Sequence, residues 1–90
     1  MSNIITSFEL STPIQDMGES KQFLDITKPT VAIFRDANKK ANGDQVELAM
    51  IIAEKCSGLS PKGFSEITLT DAMNIVEIIS PFLGLSTTKI

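Results

Sequence analysis

Between Pro29 and Leu83 the apolar residues recur at helical spacing in three blocks, punctuated by glycine at Gly43 and Gly58. No other feature constrains the chain as much, because each block carries an apolar stripe that must be laid against something. The first block predicts a helix over about 29–41. Pro29 is tolerated in its first turn, where a missing N–H costs nothing. Ile33, Phe34, Ala37 and Ala41 form its stripe. Lys39 and Lys40 suit the negative end of the helix dipole, and Asn42-Gly43 stops the helix, with Gly43 supplying the left-handed residue. The second block predicts a helix over about 44–57. Asp44 is its N-cap, Glu47 stands in the capping-box position, and Val46, Ala49, Ile52, Ala53 and Cys56 face inward. The third, over about 68–83, starts at Thr68 with Asp71 three residues on. Ala72, Ile75, Val76, Ile79 and Leu83 are its stripe, and Pro81 deforms its last turn. Between the second and third helices, Leu59 is expected in the core, Ser60-Pro61 begins a single turn that Gly63 breaks, and Phe64 and Ile67 hold the loop down.

Ahead of these blocks the period changes from 3.6 to 2. Residues 4–27 read as a β-hairpin: Phe8 and Leu10 share one face, Pro13 ends regular pairing for want of an N–H, and Asp16-Met17-Gly18 is the turn. In the return strand Leu24 and Ile26 point inward, with Lys21, Phe23 and Asp25 outward. Two strands alone are marginal in water, so the hairpin needs the helices beneath it. The expected architecture is therefore α+β, a short N-terminal β-hairpin packed on a three-helix bundle. It forms one domain over 1–84, with a flexible tail at 85–90.

Ninety residues suffice for one small core. The chain is 42% hydrophobic and 21% charged, too apolar for a disordered one. Its net charge of −3 argues against sequence-independent binding to phosphate backbones. The one cluster of basic residues, Arg35, Lys39 and Lys40, reads as a solvated helix face. No stretch has the form of a secretory signal, and the longest apolar run, Leu48 to Ala53, is far short of the roughly 20 residues that span a bilayer. The expected location is the cytoplasm, with no membrane partner.

Reaction chemistry is thinly supplied. The chain has no histidine, the commonest general base and metal ligand at neutral pH. Its one cysteine, Cys56, falls on a core stripe and cannot form an internal disulfide. Ser57 and Ser60 have no identifiable base, no glycine-rich phosphate loop exists, and calcium-loop spacing is absent. No catalytic residue, metal site or cofactor is expected.

What the chain has in surplus is apolar helix surface. Projected at 3.6 residues per turn, Ile51 falls among Asp44, Glu47, Glu54 and Lys55, with Met50 at the border. Ile78 and Leu85 lie beyond Asp71, Met73 flanks the opposite edge, and Phe82 is marginal. Single exposed apolar residues are ordinary. Several together, two of them methionines suited to adaptable contacts, mark a partner-binding surface. Met50, Ile51, Met73, Ile78, Phe82 and Leu85 are the candidate residues.

The order of segments is also distinctive. A hairpin leads through Leu24-Asp25-Ile26-Thr27-Lys28-Pro29-Thr30 into a helix. A second helix reads Glu47-Leu48-Ala49-Met50-Ile51-Ile52 and ends in Gly58-Leu59-Ser60-Pro61. Phe64 to Asp71 then opens a last helix that finishes in Phe82-Leu83-Gly84. From about Phe8 to Gly84 this resembles the small tail assembly chaperones of Mu-like and related contractile-tailed bacteriophages and prophages. One departure is Lys62-Gly63-Phe64, where the family often has a more acidic linker. The resemblance implies a non-enzymatic protein that binds the tape measure protein, the long helical chain that sets tail length, and keeps it soluble. It further implies recruitment of tail tube subunits as a second role, and displacement before the virion matures. Two other classes stay open on the residues alone: a generic adaptor or homo-oligomeric structural protein using the same apolar surplus, and a small regulator touching nucleic acid through Arg35, Lys39 and Lys40.

Overall fold

The structure, a computed structural model, describes residues 4–83; the expected tail at 85–90 lies outside them. Strand β1 (Ile4–Asp16) pairs antiparallel with β2 (Glu19–Thr27). The turn is Met17-Gly18, and both residues take positive φ, 54° and 81°. This two-residue turn matches the natural twist of the strands it joins. Pairing is regular from Glu9↔Phe23 back to Thr6↔Ile26 and again from Ile14↔Lys21 to Asp16↔Glu19. Between Glu9 and Ile14 the register shifts and β1 bulges. Pro13 sits inside that bulge, where no ladder hydrogen bond is asked of it.

The helices are α1 (Val31–Ala41), α2 (Gln45–Ser57), α3 (Pro61–Glu66) and α4 (Leu69–Leu83). Among the described residues there are four, not the three of the expected bundle. The additional one, α3, occupies the stretch read as a single turn broken by glycine. Ser60 Oγ accepts from the Gly63 N–H at 3.1 Å as its N-cap and Pro61 stands at its start, so the helix runs through Gly63 to Glu66. Gly63 serves a close approach instead. A Cβ there would come within 2.5 Å of the Asp16 carboxyl group.

Local signals account for the remaining boundaries. Asp44 Oδ1 accepts from the Val46 and Glu47 N–H groups at 3.0 and 3.1 Å. Asn42, at φ 51°, ends α1, and Gly58, at φ 78°, ends α2. Thr68 Oγ1 accepts from the Asp71 N–H at 3.1 Å. The Asp71 carboxylate itself has a different task from helix starting. It is buried, and it accepts from both the N–H and the Oγ–H of Ser11 in the β1 bulge, each at 2.9 Å. Asp16 is its counterpart at the hairpin tip, buried and accepting from the Ser60 N–H at 3.1 Å and from Ser60 Oγ. Two carboxylates thus tie the hairpin to the helical layer, one at α4 and one at the start of α3.

The core is one cluster drawn from both layers. Leu10, Ile14, Leu24 and Ile26 come from the hairpin, and Ala37, Ala41, Leu48, Ile52, Ala53, Cys56, Leu59, Ile75 and Ile79 from the helical half. Helix α2 packs against α1, α4 and β2. Phe64 and Ile67 lie half-buried against the cluster, as plugs under the connection. No helix among the described residues is long and apolar enough to cross a membrane.

Candidate partner-binding surface

The first turns of α2 and the first half of α4 leave an apolar groove between them. Gln45, Val46, Ala49 and Met50 line one side and Met73 and Val76 the other, around a volume of about 180 Å³. The Asp44 cap fixes the first turn of α2, and Val46 then projects outward. Val46 is 68% exposed and Met73 46%. Among the described residues no titratable side chain lines the groove. Its volume falls below the roughly 300–1,000 Å³ of small-molecule sites, which suits it to side chains of another polypeptide.

A second groove of about 260 Å³ lies where the start of α1 meets the end of α4, lined by Pro29, Thr30, Val31, Phe34, Phe82 and Leu83. Thr30 positions its floor: its Oγ1 accepts the Ile33 N–H at 3.2 Å and so sets the first turn of α1. Pro81, inside α4, removes the N–H that would bond one turn back. Ser80 Oγ donates to the Val76 carbonyl at 2.8 Å in the same turn. The helix continues to Leu83 and carries exposed Phe82 to the groove.

The six candidate residues are thus divided. Met50 and Met73 meet across the first groove, and Phe82 belongs to the second. Ile51 and Ile78 do not stand out in solvent as the projection predicts; both are half-buried against the core. The reason is that α2 and α4 are each covered on more than one side, so their buried sectors are wider than a single stripe. Leu85 lies outside the described residues. Conversely, Val46 and Phe34, assigned to core stripes, are exposed. At about 100° per residue, Val46 is roughly 120° round the helix from Ile52, while Leu48, only about 40° away, takes the core place. A projection centred on the fully buried Leu48, Ile52 and Cys56 would have separated Val46 with Met50 as one flank.

Elsewhere the polar groups are structural. Cys56 is buried, burial pushes its thiol pKa up, and a hydrogen bond from Thr27 opposes that shift only in part. The Thr27 Oγ1 donates to the Cys56 carbonyl at 3.2 Å. Lys40 and Lys55 converge on Asp36 at 3.4 and 3.9 Å, so one of the three clustered cations is engaged within the fold. No group of three or more metal-ligating side chains occurs among the described residues. What the two grooves can do chemically is bury apolar side chains of a partner.

The sequence model of one protein family, described as "Phage tail assembly chaperone proteins, E, or 41 or 14", matches residues 7–84. No curated protein matches the chain significantly, and no solved structure does.

Proposed function

The chain belongs to this family of phage tail assembly chaperones, and on that premise we propose that it binds the phage tape measure protein in the host cytoplasm and keeps it soluble while the tail is built. The observation that carries this reading is the α2–α4 groove, where Met50 and Met73 meet beside exposed Val46. A long helical client presents apolar side chains at i, i+3, i+4 and i+7, and an apolar groove between two helices receives such a face. Methionine side chains adapt to successive turns of a client that is not of one fixed sequence. Phe34 and Phe82, with Val31, form a second contact on the α1–α4 side. Leu85 keeps its place in the proposed surface on its sequence position, while Ile51 and Ile78 act from beneath as half-buried support. The negative net charge keeps a chaperone with exposed apolar grooves soluble. The chaperone leaves before the virion is complete.

The test is co-expression with the tape measure protein of the same phage. Val46→Glu and Met73→Glu replace exposed residues, so circular dichroism should be unchanged. The recovered soluble client should fall at least about tenfold, the equivalent of ~1.4 kcal/mol. Full solubilisation by the double variant would remove the groove from the proposal.

A further inference from the structure

Taking the α2–α4 groove as the client site, as the proposed function does, we infer that the segment it receives is an amphipathic helix whose apolar stripe is bordered by lysine and arginine. The charged residues beside the groove are of one sign. At about 100° per residue, Glu54 stands one turn beyond Met50 and about 40° round α2 from it, and Glu77 stands in the same relation to Met73 on α4. Glu47 follows Val46 and precedes Met50 by three positions, which makes it a neighbour of Met50 on the helix surface. Glu47 and Glu77 are exposed, and Glu54 is half-buried. Among the described residues, none of the three belongs to an ion pair. Neither helix supplies a cation to offset them. Helix α4 has no lysine or arginine, and the one lysine of α2, Lys55, reaches Asp36 of α1 at 3.9 Å.

The groove therefore asks for apolar side chains within and positive ones at its margins. Leu69, 69% exposed, lies one turn before Met73. The apolar strip of α4 thus runs from Leu69 to Val76, about 10 Å at ~1.5 Å per residue. That length matches about two turns of a helix laid along the groove, not a single side chain inserted end-on. Lysine and arginine at the margins of such a helix keep their aliphatic stems on the apolar strip while their charged heads reach the glutamates. A second copy is the poorer occupant. Two of these grooves face to face would set glutamates against glutamates, and like charges across an interface cost affinity.

The test uses the full chain and two labelled helical peptides of about 20 residues, long enough to hold helix in water. Both carry the same apolar stripe at i, i+3, i+4 and i+7; one is flanked by lysine and the other by glutamate. Exposed ion pairs are individually weak, so the comparison sets several attractions against several repulsions. By fluorescence anisotropy at low salt the lysine-flanked peptide should bind at least about fivefold tighter, ~1 kcal/mol, and salt should erode that preference. Glu47→Gln with Glu77→Gln should reduce it to under about twofold. Glu9→Gln with Glu19→Gln makes the same change in net charge on the hairpin, which does not line the groove, and should leave the preference intact. Circular dichroism checks that both double variants are folded. Equal binding of the two peptides, binding of neither, or equal loss of preference in both double variants overturns the proposal. So does a concentration-dependent dimer of the chain that Val46→Glu dissociates, which would assign the groove to a second copy. Equal binding that Val46→Glu abolishes removes the charge preference alone and leaves the groove as the client site, whereas full client solubilisation by the Val46→Glu, Met73→Glu variant removes the groove itself.

Discussion

Asp16 shows how much a single carboxylate does in this molecule. It closes the hairpin at its tip and receives the Ser60 N–H and hydroxyl, while Ser60 in turn caps α3. These two hydrogen bonds, first the side-chain one and then the backbone one, hold its pKa below the ordinary value of 3.8. Lys21 adds a smaller pull in the same direction, and burial opposes them. A carboxylate whose folded pKa is depressed contributes stability that is present above its unfolded pKa and is lost as pH falls through its folded one. The expected acid limb of wild-type stability therefore starts near pH 4 and steepens below it. Asp16→Asn should lower stability at pH 7 yet lose less between pH 5 and pH 3. Gly63→Ala, whose Cβ drives the carboxylate away from Ser60, should flatten the limb in the same way. Urea titrations across that pH range measure both. An unchanged acid slope in Asp16→Asn would show that the titration belongs to other carboxylates.

At the scale of elements, the ties between hairpin and helices rank by what their removal leaves behind. Asp71→Ala takes the acceptor from both the N–H and the hydroxyl of Ser11 in the bulge, and a hydrogen bond to a charged group contributes about 1.5–3 kcal/mol. Ser11→Ala removes one hydroxyl and keeps the N–H bond to Asp71, so its cost should be nearer ~0.5–1.5 kcal/mol. Urea midpoints at constant m-value read that order; equal losses would mean that the hydroxyl, not the bulge N–H, carries the tie. These long-range contacts mark the limit of what the sequence makes legible. The hairpin turn, the Asp44 cap, the Asn42-Gly43 and Gly58 stops and the inward Leu24 and Ile26 follow from local rules, and all are present, though the left-handed cap of α1 is already Asn42 and not Gly43 alone. Asp71 reads locally as part of a helix start and Gly63 as a breaker. Their roles depend on Ser11 and Asp16, which lie 60 and 47 positions away in the chain. The candidate surface was legible in the same partial way. Periodicity flags Met50, Met73 and Phe82 as surplus, but which flank of a helix stays open is decided by what packs on the other flanks. Ile51 and Ile78 are half-buried for that reason, and Val46 and Phe34 are exposed for it.

The whole molecule is held by a core that neither layer could complete alone. The hairpin contributes Leu10, Ile14, Leu24 and Ile26, and among the described residues its strands have no second sheet to rest on. The helices contribute Ile52, Ile75 and Ile79, whose buried faces meet that hairpin. The radius of gyration, 12.7 Å, is close to the ~12 Å of a compact chain of this length. A two-stranded hairpin detached from its helices would be marginal in water, so hairpin and helices are expected to unfold as one cooperative unit. Cys56 is placed to report this. It lies in the central helix α2, its carbonyl receives the Thr27 hydroxyl from the end of β2, and burial keeps its thiol protonated and covered. A thiol reagent should label the native protein very slowly and the unfolded chain fast, because the thiolate is the reacting species. In urea, the midpoint for Cys56 labelling under brief reagent pulses should coincide with the loss of helical circular dichroism, as two-state unfolding requires. Labelling that begins while the helical signal is intact would mean that the hairpin lifts off first, and the chain would then have to be treated as two units of unequal stability.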